Sequence, residues 1–202
     1  MSAWTAKRIT ADAAQKMQVD AGLLLNNFDI TNPVEPSDSD IVCETTGDFK
    51  ITCRPETEDM FDDVNGAPKN TMEGKRIVDW NCGLSVTAFS ITADTLGLAL
   101  GAFEKTSDNK GVVPKRQFEV TDFKQLYWVG DMMDDKSLFV VVMDNTVSTG
   151  GLDFSASDNG KGTLSLELTP HATVTNRGKV PMAFYILEKS GTAAKPAEAS
   201  EE

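Results

Sequence analysis

Between Lys75 and Ala88 the chain alternates, with Val78, Trp80, Cys82, Leu84 and Val86 in one phase and Asp79, Asn81, Gly83, Ser85 and Thr87 in the other. A period of two sustained over that length fits a long strand with one buried face and fits no helix. Upstream, Phe49, Ile51 and Cys53 alternate with Asp48, Lys50, Thr52 and Arg54. The two segments predict strands flanking a polar insertion, Pro55 to Gly74, and a connection of that length tends to be functional or disordered. The phase then switches to Phe89 and Ile91, which predicts a bulge or a new packing partner.

Later segments repeat the signal. Leu138 to Met143 is a continuous apolar run, as expected of a strand covered on both faces. Leu152 and Phe154, and then Leu164, Leu166 and Leu168, alternate with polar residues around an Asn159-Gly160 turn that suits a tight hairpin. Val180 to Leu187 reads as a last apolar strand and Ala21 to Phe28 as another. One helix is expected after a Thr92 cap, with Asp94 in its first turn and Leu96, Ala99, Leu100 and Phe103 on one face. Gly97 and Gly101 should weaken it by about 1 kcal/mol each. Thr10 to Met17 reads as a short second helix. The expected fold is mainly β (α+β): a β-sandwich or half-barrel with one flanking helix and a long hairpin loop. It forms one domain over residues 1–190, followed by an acidic tail over 191–202 without an apolar face, read as disordered.

Charge and motif content narrow the function. The chain has 202 residues and a net charge of −12, which disfavours free-standing nucleic-acid binding and attraction to anionic membranes. No apolar run approaches the roughly 20 residues of a membrane helix. The N-terminal Met1 to Arg8 has no apolar segment behind its charges, unlike a secretory signal. Cys43, Cys53 and Cys82 form no C-x-x-C pair, and their odd number leaves no closed disulfide framework, so they read as small buried hydrophobes in a reducing compartment. His171, the single histidine, has no acid or nucleophile beside it in sequence. Ser148-Thr149-Gly150-Gly151 lacks the ending of a phosphate-binding loop. Asp59 to Gly66 fails as a calcium loop, because Phe61 and Met72 fall where ligands should stand. Asp62-Asp63 and Asp134-Asp135 read as solvated loop charges. No enzyme class, cofactor or metal is expected.

An ordered set of short elements runs along most of the chain. It comprises Asp20 to Leu25 with Phe28 and Pro33, then Thr45-Thr46-Gly47-Asp48-Phe49, and then Asp62 to Thr71. After the helix come Trp128-Val129-Gly130-Asp131, Ser148 to Leu152, Lys161-Gly162, His171 and Val180 to Tyr185. In order and spacing the set resembles the major tail tube proteins of long-tailed bacteriophages, in particular those of Gram-positive hosts. Gly47-Asp48 stands where such proteins often have Gly-Gly, and the residues around Met132-Met133 and after His171 diverge.

The resemblance implies a structural virion protein that is assembled in the host cytoplasm and located in the tail. It implies six-fold rings of this chain, stacked into a tube through which double-stranded DNA passes without specific binding and without a membrane partner. Tape measure, tail terminator and distal tail proteins would be its other partners. It also implies that the insertion reaches a neighbouring subunit or ring, through Glu58, Asp59, Met60, Phe61, Asp62, Asp63, Val64, Asn65, Lys69 and Asn70. A conduit should not hold its DNA, so the lumen is expected to be acidic. Asp48, Asp79, Asp153 and Glu167 on the polar phases of the strands are its candidates, although Lys50 and Arg54 share the phase of Asp48. Near the N-terminus, Trp4, Lys7 and Arg8 are expected to order on assembly. Two other readings remain at this level: a β-sandwich binding module that recognises a carbohydrate or protein on its loops, and the inner tube of a contractile injection or secretion device.

Overall fold

The computed structural model describes residues 22–66, 68, 70–134, 136–155 and 162–189. The expected Thr10 to Met17 helix, the N-terminal arm, the Asn159-Gly160 turn and the 191–202 tail lie outside them. The elements are β1 (Leu23–Leu25), β2 (Ile41–Asp59), β3 (Lys75–Ala88), α1 (Ala93–Leu100), β4 (Phe103–Lys105), β5 (Val112–Pro114), β6 (Lys124–Asp131), β7 (Ser137–Ser148), β8 (Asp153–Ser155), β9 (Thr163–Pro170) and β10 (Met182–Glu188). The fold is mainly β, as the alternation predicts, with one α-helix among the described residues.

Eight strands form one antiparallel sheet in the order β10-β7-β6-β1-β2-β3-β9-β8. The sheet also closes on itself, because Thr146 to Ser148 at the end of β7 pair with Leu168 to Pro170 of β9. The closed circuit β7-β6-β1-β2-β3-β9 encloses one core, and β10 and β8 extend it at the sides. Closure removes the exposed edges that an open sheet would present along the circuit.

Two apolar clusters hold this arrangement. The larger contains Leu24, Cys43, Cys82, Leu84, Val86, Leu126, Trp128, Met143, Leu164, Leu166 and Leu168, with Leu98 and Ala99 of α1 set against them. The smaller joins Leu25, Phe28, Tyr127, Val129, Leu138, Val140 and Val142. Strands β6 and β7 contribute to both clusters, which is why Leu138 to Met143 is apolar in both phases. Trp128 is fully buried, with its ring 4.4 Å from that of Phe49 and 6.2 Å from that of Phe139. Its indole N–H donates to Thr45 Oγ1 at 3.4 Å, and that hydroxyl donates onward to the Gly22 carbonyl at 2.6 Å.

The helix is capped as its sequence indicates. Thr92 Oγ1 accepts from the Thr95 amide at 3.1 Å, and Thr95 Oγ1 accepts from the Thr92 amide at 2.8 Å. The expected apolar face is corrected in one respect: Phe103 is not on the helix but opens β4, and folds back over it. The phase switch after Ala88 is the end of β3 rather than a bulge within it, and leaves Phe89 and Ile91 exposed. The bulge near this point lies on the partner strand. Thr46 faces Thr87 while Lys50 faces Ser85, so β2 carries extra residues there, including Gly47 at φ +71°. A second irregularity leaves Val78 of β3 between the Asp79–Glu56 and Ile77–Thr57 pairs.

Candidate assembly surfaces

The insertion read as a loop from Pro55 to Gly74 is shorter than expected. Pro55 to Asp59 continue β2, each paired with β3 out to Asp59 opposite Lys75, so only 60–74 forms the turn. Glu58 and Asp59, expected in the loop, are its last strand residues. This part of the hairpin also departs from the one-buried-face expectation. Strand β9 covers β3 only from Leu84 to Ala88, and β1 covers β2 only at Ile41 to Glu44. From Cys53 and Cys82 outward, among the described residues, the pair has no third strand. Val78, in the phase expected to be buried, is 57% exposed, and Ile77 beside it is exposed too.

The turn is organised by Asp59. Its Oδ1 accepts from the Phe61 amide at 3.1 Å and its Oδ2 from the Asn70 amide at 3.1 Å, with Lys75 Nζ at 3.7 Å. Those amide hydrogen bonds, led by that of Phe61, hold its carboxyl below the ordinary carboxylate range. Glu58 pairs with Arg76 at 3.0 Å across the strands. Phe61 is half-buried against Gly74, where an added Cβ would stand 2.8 Å from the ring. That makes Phe61 an anchor within the turn. Asn70 takes the left-handed conformation at φ +59°. Asp62, Asp63 and Asn65 are exposed, and Lys69 lies outside the described residues. Met60, Val64 and Met72 turn outward, Met72 to 84% exposure.

The candidate lumen residues fall largely on one face. Opposed residues of an antiparallel pair project to the same side of a sheet. Glu167 opposes Ser85 and Asp153 opposes Ser165, which places Glu167 and Asp153 on the side of Ser85. Asp79 lies in the phase of Ser85 along β3, and all three carboxylates are exposed. Lys50 opposes Ser85, Arg54 opposes Asn81 and Glu56 opposes Asp79, so these three belong to the same face. The face therefore mixes both signs, with two more carboxylates than cations among these residues. Asp48 sits in the bulge of β2, and its side chain is outside the described part. The interior of the closed circuit is the apolar core, so any aqueous channel lined by these residues lies outside the subunit's own barrel.

Beside the root of the hairpin a cavity of about 370 Å³ is lined by residues that include Glu56, Asp79, Trp80, Cys82 and His171. Sequence reasoning placed nothing near His171, and the fold brings Cys82 and two carboxylates to the same cavity. The imidazole packs edge-on against Phe123 at 5.4 Å. Its backbone N–H donates to the Asp144 carbonyl at 3.1 Å, and its carbonyl accepts from Asn145 Nδ2 at 3.0 Å. Across β2 and β3, Cys53 and Cys82 are opposed, with their sulfur atoms 3.3 Å apart. Burial, followed by the contact with Cys53, pushes the Cys82 thiol up to about 12; burial does the same to Cys43. Among the described residues no three His, Cys, Asp or Glu side chains gather as a metal site would require, and no helix is long and apolar enough to cross a membrane.

No family model matches the chain, and no curated protein matches it. Among solved structures, a chain of the "Virion of native gene transfer agent (GTA) particle" is similar with a TM-score of 0.39 and 14% identity, over 82% of this chain and 95% of that one. A likeness at that TM-score decides neither fold nor function.

Proposed function

We propose that this chain is a structural virion protein whose copies assemble into stacked, hexameric rings forming a phage tail tube, with no catalytic activity of its own. The ordered motif set that resembles tail tube proteins supplies the hypothesis. The observation that carries it furthest is the outer part of the β2–β3 hairpin. A two-stranded hairpin is marginal in water unless something covers it. This one extends six residue pairs beyond Cys53 and Cys82 and carries exposed Ile77, Val78, Met60, Val64 and Met72 along its arm and tip. Among the described residues no third strand covers this arm and only the 172–181 segment flanks Ile77 and Val78, so its exposed apolar residues fit a surface for a neighbour.

In this reading the tip docks on an adjacent subunit or ring, and the face of Asp79, Asp153 and Glu167 lines the channel. Its excess of carboxylates weakens attraction for phosphates, because cations are what bind DNA tightly. Tape measure, terminator and distal tail proteins meet the two ends of the stack. Negative-stain microscopy of the purified full-length chain tests the proposal: rings or tubes support it, and monomers under all salt conditions contradict it.

A further inference from the structure

The odd cysteine count argues against a disulfide framework in the sequence, but the fold sorts the three thiols into a pair and a bystander. Cys53 and Cys82 are direct cross-strand partners, with Sγ atoms 3.3 Å apart. Directly opposed residues of an antiparallel pair hold their Cβ atoms about 4.5–5.5 Å apart, and a disulfide needs about 3.5–4.5 Å, so a small adjustment of the strands suffices. Cys43 is buried further down β2 and opposes Leu24 of β1 instead. The pair also occupies a particular place. Inward of it β9 supports β3 from Leu84 onward, and outward the hairpin is two-stranded among the described residues.

We infer that Cys53 and Cys82 form an oxidative cross-linking site that fastens the root of the β2–β3 hairpin, taking small-molecule disulfides of the glutathione type as the oxidant. Cys53 is the partly exposed member and reacts first. Its thiolate attacks one sulfur of the disulfide, the S–S bond of the reagent breaks, and the first thiolate leaves and takes up a proton. Cys82 then gives its proton to solvent and attacks the Cys53 sulfur, expelling the second reagent thiolate, which is also protonated. The two protein thiols are oxidised to one disulfide, and one reagent disulfide is reduced to two thiols. Because Cys82 is buried, this second step is the slow one and quickens as pH rises. The chemistry is independent of the assembly reading. The consequence is mechanical: two strands of an arm joined across by hydrogen bonds and ion pairs become covalently cross-linked where the arm emerges from the barrel.

The test treats reduced full-length protein with oxidised glutathione at neutral and mildly alkaline pH and maps the products by mass spectrometry. The expected product is an intramolecular Cys53–Cys82 link, formed faster at the higher pH, with Cys43 unmodified. C82S should accumulate a single glutathione adduct at Cys53, and C53S should acquire none. In the linked protein, amide exchange over 54–59 and 75–81 should slow by roughly tenfold, because the cross-link suppresses opening of the arm. The inference is overturned if the wild-type thiols stay unreacted while urea-unfolded protein oxidises. It is equally overturned if Cys53 stops at the glutathione adduct, if links form only between molecules or through Cys43, or if the linked arm exchanges as fast as the reduced one.

Discussion

The Phe103 ring closes over Gly97 so tightly that a methyl group on that glycine would stand 2.4 Å from Phe103 Cε2. Sequence alone marks Gly97 as a defect in a short helix, and replacing such a glycine with alanine ordinarily gains up to about 1 kcal/mol. Here the sign reverses, since the added carbon must displace a ring that ties α1 to β4. We expect Gly97→Ala to destabilise the fold by about 1–3 kcal/mol, the usual cost of overpacking. Urea unfolding measures it, and a midpoint at or above that of the wild type would contradict the packing described.

The turn at the hairpin tip should respond to acid through Asp59. Its carboxyl titrates below its ordinary 3.8 in the folded chain, chiefly because the Phe61 amide donates to it. A depressed value means that the stabilisation is fully present above the ordinary value and is lost as pH falls through the lower, folded one. The amide signals of Phe61 and Asn70 should therefore hold steady from neutral pH into the ordinary carboxylate range and shift only below it. Asp59→Asn should abolish that titration and speed proteolysis within 60–74 at neutral pH. Unchanged cleavage in the variant would remove Asp59 from its organising role.

Met60, Val64 and Met72 are exposed at the tip, whereas Phe61 is an internal anchor. Replacing the three exposed residues with Asp should leave the monomer folded, with its stability within about 0.5 kcal/mol of the wild type, as is usual for surface changes. Assembly should fail. Sedimentation velocity and thermal unfolding together separate the two effects. Normal assembly by a folded triple variant would show that the tip makes no contact.

Asp79 and Glu56 oppose one another across β2 and β3, a like-charge pairing that costs a few tenths of a kcal/mol. Asp79→Lys turns that repulsion into attraction, so Asp79→Lys combined with Glu167→Lys should preserve assembly. In tubes verified by microscopy, DNA ejection should slow or stall at low salt, where attraction to phosphate is least screened. Ejection at the wild-type rate would mean that this face does not line the channel or that its charge is immaterial.

Much of the architecture was legible in residue spacing. The period of two from Lys75 to Ala88 coincides with β3, the doubly apolar run at 138–143 lies in a strand that feeds two clusters, and Thr92 caps the helix. Alternation reveals which residues share a face, but not whether anything covers it. Val78 and Leu84 therefore look alike in sequence, yet only Leu84 has β9 beside it. The ring closure through β7 and β9, the facing of Cys53 and Cys82 and the gathering of His171 with Cys82 at one cavity all depend on long-range register, for which the sequence carries no local signal. The Phe61 anchor is intermediate: an aromatic in a polar insertion announces either a local contact or a partner, and the close approach to Gly74 decides for the first.

The proposed function requires that this chain assemble with itself into tubes. Negative-stain microscopy of the purified full-length protein, imaged over a range of protein and salt concentrations, tests it most directly. Rings of uniform diameter that stack into hollow tubes as concentration rises are the expected result. Particles that stay monomeric at every concentration and salt condition would contradict it.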